Sequence, residues 1–218
     1  MPFFEPLPEP PERPEVPRQP MWAGPPDGIF GEAAPVRAVL VRSQALLVVV
    51  DHIICYPTGF EFSVAIRMRW PPAPDNPVMM RGGPLMGDNA WRAGRAADTR
   101  MRLGVAFADG RKATNLDALP HFGPGGAGIS VSASAPGASE SGTATTFDDR
   151  QAPILVPRGG GGSGARWDHT YWIWGLPPEG PLGLVVEWPA EDVAETRVDI
   201  DGGAIRQAAG RAEVLWED

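Results

Sequence analysis

Residues 62–70 alternate without a break. Phe62, Val64, Ile66, Met68 and Trp70 fall on one side, and Ser63, Ala65, Arg67 and Arg69 on the other. A period of two puts every second side chain on one face of a strand and scatters them around a helix, so this stretch predicts a half-buried strand with an arginine-bearing outer face. The same alternation returns at Met101, Leu103, Val105 and Phe107. Residues 36–42 and 46–56 read as two further strands, with a turn at Ser43-Gln44. The second carries apolar residues on both faces, Leu46, Val48, Val50 and Ile54 against Leu47, Val49 and Ile53, as a central strand does. More strands are expected at about 154–156, 166–174, 182–188, 195–200 and 213–216.

The punctuation between these runs argues for turns rather than helices. The chain has 27 Gly and 26 Pro among 218 residues, so a large share of it is turn or loop. Asp109-Gly110 predicts a two-residue type I′ hairpin. Pro177-Pro178-Glu179-Gly180-Pro181 predicts the turn of a hairpin over 171–188, whose face Leu184, Val186 and Trp188 is expected to be buried. One helix is expected, near 201–210: Asp201 caps it, and Ile200 and Ile205 stand at the positions of a hydrophobic staple. The sum is an all-β chain, an antiparallel β-sandwich (immunoglobulin-like or related) with one short C-terminal helix. A closed β-barrel is the alternative.

Residues 1–35 differ in kind. Proline recurs too often for helix or ladder, with Glu5, Glu9, Glu12 and Glu15 interspersed, so the segment reads as a flexible, acidic, proline-rich leader. One domain then spans 36–216. It contains three long loops, 71–100, 117–150 and 157–165, the last because Gly159–Gly162 with Ser163 and Gly164 is linker-like in composition.

Charge and cysteine usage exclude several functions. The formal net charge is −8, and Lys112 is the only lysine. No basic stripe is present to meet phosphates, so no nucleic acid is expected as partner. No run approaches the roughly 20 uncharged residues of a membrane helix, and the N-terminus has no signal-peptide pattern, so no membrane insertion is expected and the localisation read is cytoplasmic. A single cysteine, Cys55, permits no intrachain disulfide and reads as a small buried hydrophobe.

Motif by motif, the chemistry is thin. Residues 123–128, GPGGAG, spell a dinucleotide-type glycine pattern but lack the strand before and the helix after it. Asp199 and Asp201 begin a calcium-loop pattern whose twelfth position is Gly210 and not a glutamate. His52, His121 and His169 are not spaced as metal ligands, and no serine lies in a nucleophile elbow. No catalytic residue, metal or cofactor is expected. Trp172 and Trp174 share one strand face about 7 Å apart, the spacing of a platform for sugar rings or a proline-rich peptide, although large aromatics more often fill cores, in company with Trp188 and Trp216. Trp172 and Trp174, with Trp91 in loop 71–100, are the candidate ligand-binding residues.

Three stretches, Tyr56-Pro57-Thr58-Gly59-Phe60-Glu61-Phe62, TYWIWGLPPEGPL (170–182) and EWPAEDVAETRVDID (187–201), resemble an uncharacterised family of β-rich proteins from GC-rich bacteria. The likeness covers most of residues 36–216 and leaves out the leader. It implies one contiguous domain in a bacterial cytosol, and transfers no activity, cofactor or catalytic residue. The expected function is a non-enzymatic protein-binding or assembly module working through loop 71–100, the glycine-rich loops and an exposed sheet face, with another protein as partner. Two alternatives stand beside it: a carbohydrate- or small-ligand-binding sandwich using the tryptophans, and an enzyme centred on a histidine.

Overall fold

A computed structural model describes residues 20–70, 100–117, 119 and 152–216. Loops 71–100 and 117–150 lie almost wholly outside these residues, as do Trp91, His121, the GPGGAG stretch and the possible short strand at Ile129 and Val131.

Among the described residues there are twelve strands and one α-helix: β1 (Ile29–Phe30), β2 (Glu32–Ala34), β3 (Ala38–Arg42), β4 (Leu46–Tyr56), β5 (Gly59–Met68), β6 (Arg102–Ala106), β7 (Lys112–Thr114), β8 (Ile154–Ser163), β9 (Arg166–Trp174), β10 (Pro181–Trp188), β11 (Val193–Asp201), α1 (Gly202–Ala209) and β12 (Glu213–Val214). All pairings are antiparallel. The larger sheet runs β2-β4-β5-β9-β8, with β3 pairing the same edge of β4 as β2. The smaller runs β11-β10-β6-β7, and β1 and β12 form a separate ribbon. The two sheets share one core, built from inner-face residues such as Val64, Phe62 and Ile173 of one and Leu103, Leu184 and Trp188 of the other. The fold is thus an open two-sheet sandwich and not a closed barrel. No described helix is long and apolar enough to cross a membrane.

The period-two strands fall where alternation predicts them, except that β5 ends at Met68 and Trp70, expected on its buried face, is 59% exposed. Leu184, Val186 and Trp188 are buried as expected, and Phe62 stacks on Tyr171 with ring centroids 5.5 Å apart. The arginine face of β5 is outward: Arg67 donates to the Asp168 carboxylate at 2.7 Å. The helix is capped by Asp201, whose side chain accepts from the Gly203 amide at 2.8 Å, while Ile205 is fully buried. Asp199 is held by Arg197 at 2.7 Å, so both aspartates of the calcium-like stretch have structural partners.

Several expectations are corrected. First, 171–188 is not a hairpin. β9 belongs to the larger sheet and β10 to the smaller. The proline-rich connection crosses from one sheet to the other, with Gly175 and Gly180 at positive φ to make the corner. Second, residues 157–163 are strand and not loop: Gly159–Gly162 pair with Thr170–Trp167 along the edge of the larger sheet. Glycine has no side chain with which to show a period, so a glycine strand cannot be told from a linker by composition.

Third, β4 does not keep one phase. Its register slips between Val50 and His52, so Leu46, Val48 and Val50 share the inner face with Ile53 and Cys55, not with Ile54. Fourth, the Asp109-Gly110 turn has positive φ at Gly110 alone, and the Gly110 amide donates to the Phe107 carbonyl at 3.0 Å. This is the geometry of a longer hairpin with a glycine bulge rather than a type I′ turn. Finally, residues 20–35 belong to the fold. They form a 3-10 turn at Met21–Ala23, then β1 and β2, and β2 joins the sheet through Glu32–Ala34 opposite Cys55–Ile53.

Candidate functional site

On β9 the odd positions Trp167, Tyr171 and Ile173 face the main core, and the even positions Trp172 and Trp174 face outward. The outer face is covered there in part by the chain's own leader, with Leu119 and Ala152 beside it. Trp22 packs with Trp172, Trp174, Val156 and Ala152 in a second apolar cluster, separate from the inter-sheet core. Trp172 is 0% and Trp174 5% exposed, so in this arrangement neither offers an open ring face to a sugar. Trp172 Nε1 donates to the Trp22 carbonyl at 3.0 Å, and Arg158 Nη1 donates to the Ala23 carbonyl at 3.0 Å. Tyr56 meets the Trp172 ring edge-on at 5.7 Å. The backbone lies close to the sheet at Gly24, where an added Cβ would stand 2.7 Å from the Arg158 guanidinium. Trp172 and Trp174 are therefore brought together as the spacing predicts. Trp22 completes their cluster, and Trp188 belongs to the other one.

Beside this cluster lies an open groove of about 430 Å³, lined by Ile29, Phe30, Gly31, Ala33, Ile54 and Tyr56 with Glu32. It runs into the β1–β12 ribbon, where Ile29 stands opposite Val214 and Phe30 opposite Glu213. Trp216 lies over Gly28, whose missing Cβ would be 3.3 Å from its ring. The ribbon and the two residues after it expose large apolar side chains: Phe30 67%, Val214 68%, Leu215 47% and Trp216 71%. This corrects the expectation that Trp216 shares the core. Asp27 and Glu213 are exposed nearby, and Arg211 pairs with Glu32 at 3.3 Å. Sequence reasoning misses the groove because two-residue strands carry no measurable period. The only cue is a pair of short apolar stretches, Ile29-Phe30 and Val214-Leu215-Trp216.

Among the described residues, the titratable groups do not converge on one centre. His52 is exposed, with its Nδ1 2.8 Å from the Asp51 carboxylate. It stands opposite Ser63 in the ladder, but the Ser63 hydroxyl is bonded to Thr170 at 3.4 Å. Cys55 lies inside the core, where burial pushes its thiol up to about 12, away from a reactive thiolate. Tyr171 is buried and its phenol is raised well above the ordinary value by that burial, an Asn115 hydrogen bond opposing. Among the described residues, no three of His, Cys, Asp and Glu are placed to hold a metal ion.

His169 faces the core with its ring over Gly160, where an added Cβ would lie 2.4 Å from Nδ1. It is 8% exposed, and its Nε2 has no hydrogen-bond partner. Burial lowers its pKa, with Asp168 opposing. The unfolded chain therefore takes up the proton first as pH falls below about 6.5, and stability falls with it until the folded-state pKa is passed. Urea midpoints at pH 7 and pH 5 test this. His169→Asn is expected to show a smaller drop between the two than the unaltered chain, and equal drops in both proteins would show that His169 is not held neutral.

No protein family, curated protein or solved structure matches this chain.

Proposed function

We propose that this chain is a non-enzymatic protein-binding or assembly module, working in the cytoplasm of a GC-rich bacterium, and that it docks through the β1–β12 ribbon and the groove beside it. The observation that carries the reading is the ribbon's exposed apolar surface, Phe30, Val214, Leu215 and Trp216 on and just after a two-stranded element outside both sheets. Single exposed apolar residues are ordinary, but four large ones on and just after one short ribbon, two of them aromatic and beside a groove, have the composition of a protein contact. Asp27 and Glu213 give it an acidic rim, and the whole chain is at −8. The fitting partner is a protein surface with apolar side chains ringed by basic ones. The family resemblance supports the bacterial, cytosolic setting.

The test is in-cell photocrosslinking from the ribbon. A photoreactive residue in place of Phe30 or Val214 is expected to yield one discrete adduct, lost on adding Trp216→Ser. The control is the exposed Glu195 on β11. Adduct patterns indistinguishable between ribbon and control sink the proposal.

A further inference from the structure

We infer that the outer-face tryptophan pair, Trp172 and Trp174, is a receptor for a tryptophan-bearing, proline- and glycine-flanked peptide, and that the chain's own Pro20–Gly24 turn occupies it as a resident ligand. This surface is separate from the ribbon, and the inference stands independently of it.

Four observations carry it. First, the sheet grips the turn by its backbone. Trp172 Nε1 and Arg158 Nη1 each donate, at 3.0 Å, to successive carbonyls, those of Trp22 and Ala23. Carbonyl recognition of this kind works equally well on another chain. Second, the turn has one deeply seated anchor with an exposed neighbour: Trp22 is 5% exposed and Met21 76%. An aromatic anchor in a desolvated pocket beside a residue left in solvent is how peptide ligands concentrate their binding energy.

Third, the turn stands outside the ladders. Among the described residues the first strand pair along the chain is Ile29 with Val214, and Pro25, Pro26, Asp27 and Gly28 lie between it and the turn. The turn can therefore lift without unzipping a sheet, the property of locally opening segments. Fourth, the cluster it completes is separate from the core between the sheets. Lifting the turn leaves that core in place and takes Trp22 off Trp172 and Trp174, opening a seat bordered by Tyr56, Leu119, Ala152 and Val156. A trans peptide must compete with a tethered segment at high effective concentration, so the closed chain binds it more weakly than an opened one.

The test uses the full chain carrying Trp22→Ala and a fluorescein-labelled synthetic peptide of residues 18–28. The variant is expected to bind the peptide with micromolar affinity in fluorescence anisotropy. The unaltered chain is expected to bind about tenfold more weakly or worse, and a peptide with alanine in place of its tryptophan not at all. A Trp22→Ala chain that keeps its circular dichroism spectrum and cooperative melt, yet takes up no peptide, overturns the inference.

Should that variant not fold, a protease site placed between Pro25 and Pro26 of the otherwise unaltered chain decides. After native cleavage the N-terminal fragment is expected to exchange with excess labelled peptide. Three outcomes refute the receptor: a fragment that leaves with no peptide uptake, a fragment that never exchanges, and a chain that unfolds on cleavage.

Discussion

Trp188→Ala is expected to leave little folded protein. Trp188 closes β10, is fully buried, and shares the inter-sheet core with Leu184 and Val186. Truncating a buried tryptophan removes its transfer free energy and leaves a cavity, typically about 3–5 kcal/mol together. A domain has roughly 5–15 kcal/mol in all. The melting temperature should fall by roughly 6–20 °C for a chain of this size, if the variant stays soluble at all. The measurement is thermal unfolding followed by circular dichroism. An unchanged melt would show that this side chain contributes nothing to the core and that the two sheets are not joined through it.

The second large effect separates two neighbouring glycines of β8. An added Cβ at Gly162 would stand 2.1 Å from the Arg166 carbonyl oxygen and 2.6 Å from the Trp167 Cα, both backbone atoms that cannot swing aside. Gly162→Ala is expected to destabilise by about 1–3 kcal/mol, as overpacking does. At Gly161 nothing lies within 4 Å, and its φ is not positive. Gly161→Ala should be neutral or stabilising by about 0.4–1 kcal/mol, because it narrows only the unfolded ensemble. Urea midpoints of the two variants read the difference directly. In a linker both substitutions would behave alike, so equal midpoints would refute the strand register of the glycine run.

The legible parts of the fold share a cause. β5 and β6 alternate because one face meets the inter-sheet core and the other lies outside it and carries small or polar residues, and that asymmetry is written residue by residue. The helix start is equally local, an aspartate cap followed by an isoleucine four residues on. Other features failed for equally physical reasons. The bulge at Asp51–His52 inverts the phase of β4, so a two-face reading paired Ile54 with the wrong neighbours. The Pro177–Pro181 connection has the residues of a hairpin turn, and only packing reveals that its flanking strands enter different sheets.

The candidate surfaces divide the same way. The sequence places Trp172 and Trp174 on one face, since period two is a property of the strand itself. It cannot say what covers that face, because Trp22 lies 150 residues away from Trp172 and inside a segment whose prolines suggest a free tail. Nor can it sort the tryptophans by depth. Trp188 and Trp216 each follow an acidic residue or an apolar run near the C-terminus, yet one is fully buried and the other 71% exposed. By itself, the sequence determined an all-β chain with its main strands and one capped helix, because alternation and capping are decided within a few residues. Which sheet each strand joins, where the leader seats and which aromatics meet solvent were decided only by the tertiary structure, because burial is settled by segments distant in the chain.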